Sequence, residues 1–293
     1  MQKLAELCEA IAATTKKLEK VALVAAYFQS VPVDEAAVAA VFLSGRPFPM
    51  WEEETLQVGG SLLWRIVGEL SGRSESDLTS AYRRLGDLGA VAGDVLPVRV
   101  GGLSVIDVHS AFRAIAAARG PAAKGALVRD LLSHATPLEA KYIVKIMTGD
   151  LRIGLKESLV EEAIAKAYET TLPAVQRANM LLGDIGETLR FAVDHKLAEA
   201  RMRLFHPLGF MLASPAETAQ DALSYFDNAL VEEAVGARAD EKTTHLPLSV
   251  HTFNTLESFA LIDLCPTEQR LVPTSVRAKL RQLTGALKSP SSP

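Results

Sequence analysis

Apolar residues recur at spacings of three and four along almost the whole chain up to about residue 203. A chain patterned this way buries itself by packing helix stripes on helix stripes. Leu4, Leu7, Cys8 and Ile11 make the first stripe, and Leu18, Val21, Ala25 and Phe28 the second. Asp34 and Glu35 open a short helix after Pro32 that ends at Ser44-Gly45. Leu62, Leu63, Ile66, Val67 and Leu70 follow, then Leu78, Tyr82 and Leu85, which Gly86 stops. Ser104 with Asp107 reads as a capping box, and Gly120-Pro121 as the end of its helix. Thr136-Pro137-Leu138-Glu139 is a stronger start, with an N-cap, a proline at N1 and an acid at N3. Its helix carries Ile143, Val144 and Met147 to Gly149. Further helices carry Leu159 to Ala167, follow Pro173, and run from about Gly186 to Arg203.

Strand signals are nearly absent before residue 225, so the expectation for residues 1–203 is an all-α helical bundle. Three junctions read Gly-Asp-Leu/Ile, at Gly86-Asp87, Gly149-Asp150 and Gly183-Asp184. Each fits a left-handed glycine closing one helix and an aspartate capping the next. Their unequal spacing does not make a solenoid repeat. After about Leu230 the stripes lose definition and Thr, Ser and Pro accumulate. Residues 204–233 read as a linker, and residues 234–293 as a divergent, poorly ordered tail.

The 293 residues are 48% apolar and 23% charged, which excludes disorder throughout. A net charge of −4 excludes a uniformly basic coat, so nucleic-acid binding would need a segregated basic face. Two cysteines, Cys8 and Cys265, make neither a disulfide scaffold nor a zinc site and fit a reducing cytoplasm. Glu6 and Glu9 interrupt any secretory apolar run, and Val21 to Val33 is too short to span a bilayer.

The usual catalytic templates are missing: no phosphate-binding Gly-x-x-x-x-Gly-Lys loop, no Gly-x-Gly-x-x-Gly, no Gly-x-Ser-x-Gly and no His-Glu-x-x-His. Scattered acids such as Asp107 and Asp184 form no paired constellation. The informative stretch starts at Lys141. One helix stops at Gly149, a short loop carries Arg152 and Gly154, and a second helix starts near Glu157. Glycines admit a close partner, free N–H groups at a helix start attract an anion, and Arg152 and Lys156 add positive charge. Phosphate is the natural ligand of such a loop, and Arg152 could also reach into a minor groove. A plain helix junction with an exposed arginine fits the same residues.

The segment TGDLRIGLKESLVEEAIAKAY and the preceding TPLEAKYIVKIM resemble the signature of the N-terminal DNA-binding domain of ATP-dependent DNA ligases, bacterial ones above all. The resemblance runs back through GRSESDLTSAYRRLGDLGAVAGDVL and FLSGRPFP to AIAATTKKLEKVALVAAYF, and forward through LLGDIGETL to HPLGFMLASP. It implies an all-helical domain that grips nicked duplex DNA across the minor groove for repair, recombination and replication, in a bacterial cytoplasm near the nucleoid. Gly149, Arg152 and Gly154, with Lys156, would face DNA. Thr15, Lys16 and Lys17 would be second contacts, and Arg46 a weaker one. Lys16 and Lys17 also fit a solvated helix end, and Arg46 a cap on the Ser44-Gly45 turn.

The resemblance then breaks. The family carries a Lys-x-Asp-Gly motif whose lysine attacks the α-phosphate of ATP, with Mg²⁺ assisting. Here Ala234 stands at the lysine position and no Lys-x-Asp-Gly occurs in the sequence. Residues 204–233 would then be a linker and the start of a nucleotidyltransferase-like segment, a short irregular or partly β remnant in which Glu232 would be the vestige of the adenine contact. The resemblance therefore implies a chain that binds DNA without adenylating itself, with no catalytic residue, metal or cofactor of its own. ATP and Mg²⁺ belong to the complete ligase. A truncated or frameshifted ligase, a non-catalytic DNA-binding descendant, and a partner of a separate catalytic polypeptide all fit. The rival class is a helical protein-interaction scaffold.

Overall fold

The structure, a computed structural model, describes residues 1–52 and 54–203. The linker, the tail, Glu232 and Ala234 lie outside the described residues. Within them are twelve α-helices, a single 3-10 turn at Leu197–Glu199 and no strand. The helices are α1 (Gln2–Ala13), α2 (Lys17–Ser30), α3 (Val33–Leu43), α4 (Gly60–Ser71), α5 (Glu75–Leu85) and α6 (Leu88–Val95). They continue as α7 (Val105–Ala117), α8 (Pro121–Ser133), α9 (Pro137–Met147), α10 (Glu157–Ala167), α11 (Leu172–Leu182) and α12 (Ile185–Val193). The fold is all-α.

Local chemistry sets most boundaries. Thr136 accepts from the Glu139 N–H at 3.2 Å, and Glu139 accepts from the Thr136 N–H at 2.8 Å. Ser104 and Asp107 close the same box at the start of α7. These reciprocal bonds satisfy N–H groups that the helix itself leaves unpaired. Gly86 and Gly183 end α5 and α11 with positive φ, and Asp87 and Asp184 cap α6 and α12.

The apolar stripes meet in one core that takes residues from every helix. Tyr142, Phe28, Phe42 and Phe112 are its largest fully buried side chains, and the Phe42 and Phe112 rings lie 5.5 Å apart. Burying each such ring contributes about 2 kcal/mol. α9 packs on α6 and α1, α10 on α2, and α12 on α3. From Glu139 to Met147 only Lys141 escapes burial, so α9 is enclosed on nearly all sides. The loop that leaves α9 therefore starts from a rigidly held helix.

Four expectations are corrected. Leu18 is 80% exposed, because Thr15 to Glu19 stand clear of the core and no helix covers the first turn of α2. Tyr82 is 45% exposed, and Ala81 takes the buried place beside Leu78. Gly120-Pro121 does not end α7, which stops at Ala117, but begins α8 with proline at N1. α12 ends at Val193, not Arg203: His195 adopts φ 57° and the Lys196 N–H reaches back to the Phe191 carbonyl at 2.8 Å. That bond closes the last turn as a left-handed glycine would.

Candidate nucleic-acid interface

The α9–α10 loop departs from the simple junction pattern. Gly149 adopts φ 69°, and the Asp150 N–H bonds back to the Lys145 carbonyl at 3.0 Å, ending α9 in a Schellman turn. Asp150 is therefore not the next N-cap, unlike Asp87 and Asp184. α10 begins seven residues on with Lys156 at its N-cap and no side chain capping it. Its first N–H groups, at Glu157 and Ser158, have no partner among the described residues.

Between the helices, side chains alternate in and out. Leu151 and Ile153 are buried, while Arg152, Gly154 and Lys156 are exposed. Two apolar anchors thus hold the cationic positions toward solvent. Arg152 adopts φ 49°, a conformation that costs a side-chain-bearing residue about 1 kcal/mol. Its guanidinium is held by Asp150, at 2.7 and 2.6 Å, and by the Gly86 carbonyl at 3.2 Å.

Lys20 holds the loop from the other side. It lies on the buried face of α2, only 6% exposed, and its ammonium donates to the carbonyls of Ile153 at 2.8 Å and Gly154 at 2.9 Å. Gly154 has φ 63°, and a Cβ there would meet the Lys20 Nζ at 2.8 Å. A side chain at position 154 would therefore have to displace the Lys20 ammonium. Sequence reasoning missed Lys20. Its signal was its position: Lys20 falls on the stripe of Val24 and Phe28, where a buried ammonium requires acceptors.

This tie brings two expected segments together. Lys17 precedes Lys20 by three residues, about 4.5 Å along the helix axis. Thr15, Lys16 and Lys17 are exposed, and neither lysine side chain has an acceptor among the described residues. Thr14 closes the turn before them, accepting from the Lys16 N–H at 3.2 Å and donating to Glu19 at 2.7 Å. Arg152, Gly154, Lys156, Thr15, Lys16 and Lys17 thus share one neighbourhood. Arg46 does not join it through any bond. It is exposed in the turn after α3, where Ser44 caps the Val41 carbonyl at 2.7 Å and leaves Arg46 no capping role.

A second ion pair braces the loop from below. Lys145, buried in α9, donates to Asp87 at 2.9 Å, and Asp87 also accepts from the Ala90 N–H at 2.7 Å. Burial alone would raise the Asp87 carboxyl. The Ala90 bond and the Lys145 ammonium outweigh it and hold the group below the usual carboxylate range. Among the described residues no cluster of His, Cys, Asp and Glu could hold a metal ion, and no helix is long and apolar enough to cross a membrane. What the arrangement offers is one held arginine, exposed lysines and free backbone N–H groups, chemistry suited to phosphate oxygens.

Residues 1–165 match the family described as DNA ligase N terminus. A probable DNA ligase of Koribacter versatilis is 60% identical over 236 residues, covering 80% of this chain and 41% of that protein. A probable DNA ligase of Opitutus terrae is 41% identical over 254 residues, covering 74% of this chain and 25% of that protein. A DNA ligase of Methanopyrus kandleri is 33% identical over 234 residues, covering 75% and 42%. The matched part of the chain thus spans between 25% and 42% of the length of these relatives.

Proposed function

Because the chain belongs to the DNA ligase N terminus family, we propose that its helical portion binds duplex DNA through the phosphate backbone and positions a nick for sealing. The observation that supports this reading is the Lys20 tie, which fixes the Arg152–Gly154 loop against the helix that begins at Lys17. Arg152 and Lys156 meet phosphates on one side, and Lys16 and Lys17 on the other. The exposed Gly154 admits the sugar–phosphate chain closely. Sealing of nicks in repair, recombination and replication, with ATP and Mg²⁺, is the work of the complete ligase in this proposal. A separate polypeptide is one source of its catalytic part.

Four cationic side chains at phosphates give a slope near −3.6 for log affinity against log salt, or about a hundredfold loss between 50 and 200 mM. Fluorescence anisotropy of a labelled nicked duplex measures it. Arg152→Ala should weaken binding and make the slope shallower by about 0.9. An unchanged slope removes Arg152 from the DNA. Absence of duplex binding even at low salt overturns the proposal and leaves the protein-interaction scaffold.

We propose further that this chain does not adenylate itself, since Ala234 stands where the family lysine would and no Lys-x-Asp-Gly is present. Incubation with labelled ATP and Mg²⁺ should leave the protein unlabelled. A covalent AMP adduct would sink this reading.

A further inference from the structure

Arg152 also borders an open cleft of about 490 Å³. Its volume falls in the range of sites for small organic ligands. One wall is aromatic: Trp64 of α4 and Tyr82 of α5 pack edge to face with centroids 5.8 Å apart. The Trp64 indole N–H is taken by Glu75 at 2.8 Å, so what the tryptophan brings to the cleft is ring surface rather than a donor. Tyr82 keeps 45% of its surface exposed here, although a tyrosine on a helical stripe would ordinarily be covered.

The remaining lining is polar, with Arg152 as its one cation beside the carboxylates of Asp87 and Asp150. The start of α4 also borders it, where the Gly60 and Ser61 N–H groups have no partner among the described residues and no side chain caps the helix. Two carboxylates line it as well, and each is matched: Asp87 by Lys145 and Asp150 by Arg152. The cleft therefore combines a ring platform with an arginine and paired backbone donors. That is the chemistry of a planar base joined to a phosphate.

We propose that this cleft binds one unpaired nucleotide, its base on the Trp64–Tyr82 wall and its phosphate between Arg152 and the start of α4. The proposal rests on the DNA-binding reading for the source of the nucleotide, which is a frayed or displaced strand end at the nick. A free mononucleotide has the same chemistry and is the other source.

The test uses the whole chain with Trp51→Phe, which leaves Trp64 as its only tryptophan. Trp64 fluorescence is followed against AMP, against a flush nicked duplex, and against the same duplex carrying one unpaired nucleotide at the nick. The expected result is quenching by the unpaired-nucleotide duplex and affinity about tenfold above the flush duplex. Tyr82→Ala should remove that difference and leave flush-duplex affinity unchanged. Trp64→Phe, scored by anisotropy, should keep most of the difference. Quenching by AMP alone assigns the cleft to a free nucleotide. Equal affinity for both duplexes together with no response to millimolar AMP overturns the proposal. If no duplex binds, the DNA-binding reading has failed and the AMP measurement still decides the cleft.

Discussion

Replacing Lys20 by methionine keeps the length of the side chain and removes only its ammonium. Two carbonyls, those of Ile153 and Gly154, then lose their donor, and the Ile153 bond is buried. Charge-assisted hydrogen bonds are worth about 1.5–3 kcal/mol each, and a buried acceptor left unpaired keeps its desolvation penalty. Against this, the variant no longer buries an ammonium, which returns part of the loss. The net expectation is a destabilisation of about 2–3 kcal/mol, or a fall of about 1 M in the urea midpoint. Binding should weaken as well, since a loop that must be ordered on binding costs affinity, here about tenfold. The salt dependence separates this account from direct contact. Lys20 is buried, so its removal should lower affinity without changing the slope of log affinity against log salt. A slope shallower by about one would mean that the ammonium itself meets a phosphate. Unchanged stability and unchanged affinity together would refute the tie.

Gly154→Ala should destabilise by about 1–2 kcal/mol in urea unfolding, because alanine resists positive φ and its Cβ would press on the Lys20 ammonium. Asp87→Asn keeps an acceptor for the Ala90 N–H but leaves Lys145 facing a neutral group. It should cost about 2 kcal/mol near neutral pH. The Asp87 carboxyl is depressed in the fold, so its contribution is complete above its unfolded value and is lost as pH falls through the folded one. The stability gap between the two proteins should therefore narrow below about pH 4. A gap that stays constant to pH 2 would show that the ion pair is not its source.

The helix inventory was largely legible in the residues because its signals are local. The Thr136–Glu139 box, the Ser104–Asp107 box and the Gly86-Asp87 and Gly183-Asp184 junctions act within one turn of chain. Where a local signal is symmetric, reading alone could not choose. Gly120-Pro121 punctuates equally well as a stop or a start, and it proved a start. Gly149-Asp150 reads like its two counterparts, yet the loop beyond it is longer and Asp150 turns to Arg152 instead of capping a helix. Leu18 and Tyr82 carry the right period, but no neighbouring helix covers Leu18 and α4 covers Tyr82 only in part. Exposure of that kind is a property of the assembly, not of the stripe.

The sequence by itself determined that residues 1–203 are helical, where most helices begin and end, and which loop carries the exposed cations. Each of those follows from interactions a few residues long. Only the tertiary structure decided that Lys20 meets Ile153 and Gly154 across more than 130 residues of chain. It also decided that the loop of Arg152 is tied to the helix that begins at Lys17. A buried ammonium must find acceptors wherever the fold brings them, and no short-range rule says which carbonyls those will be.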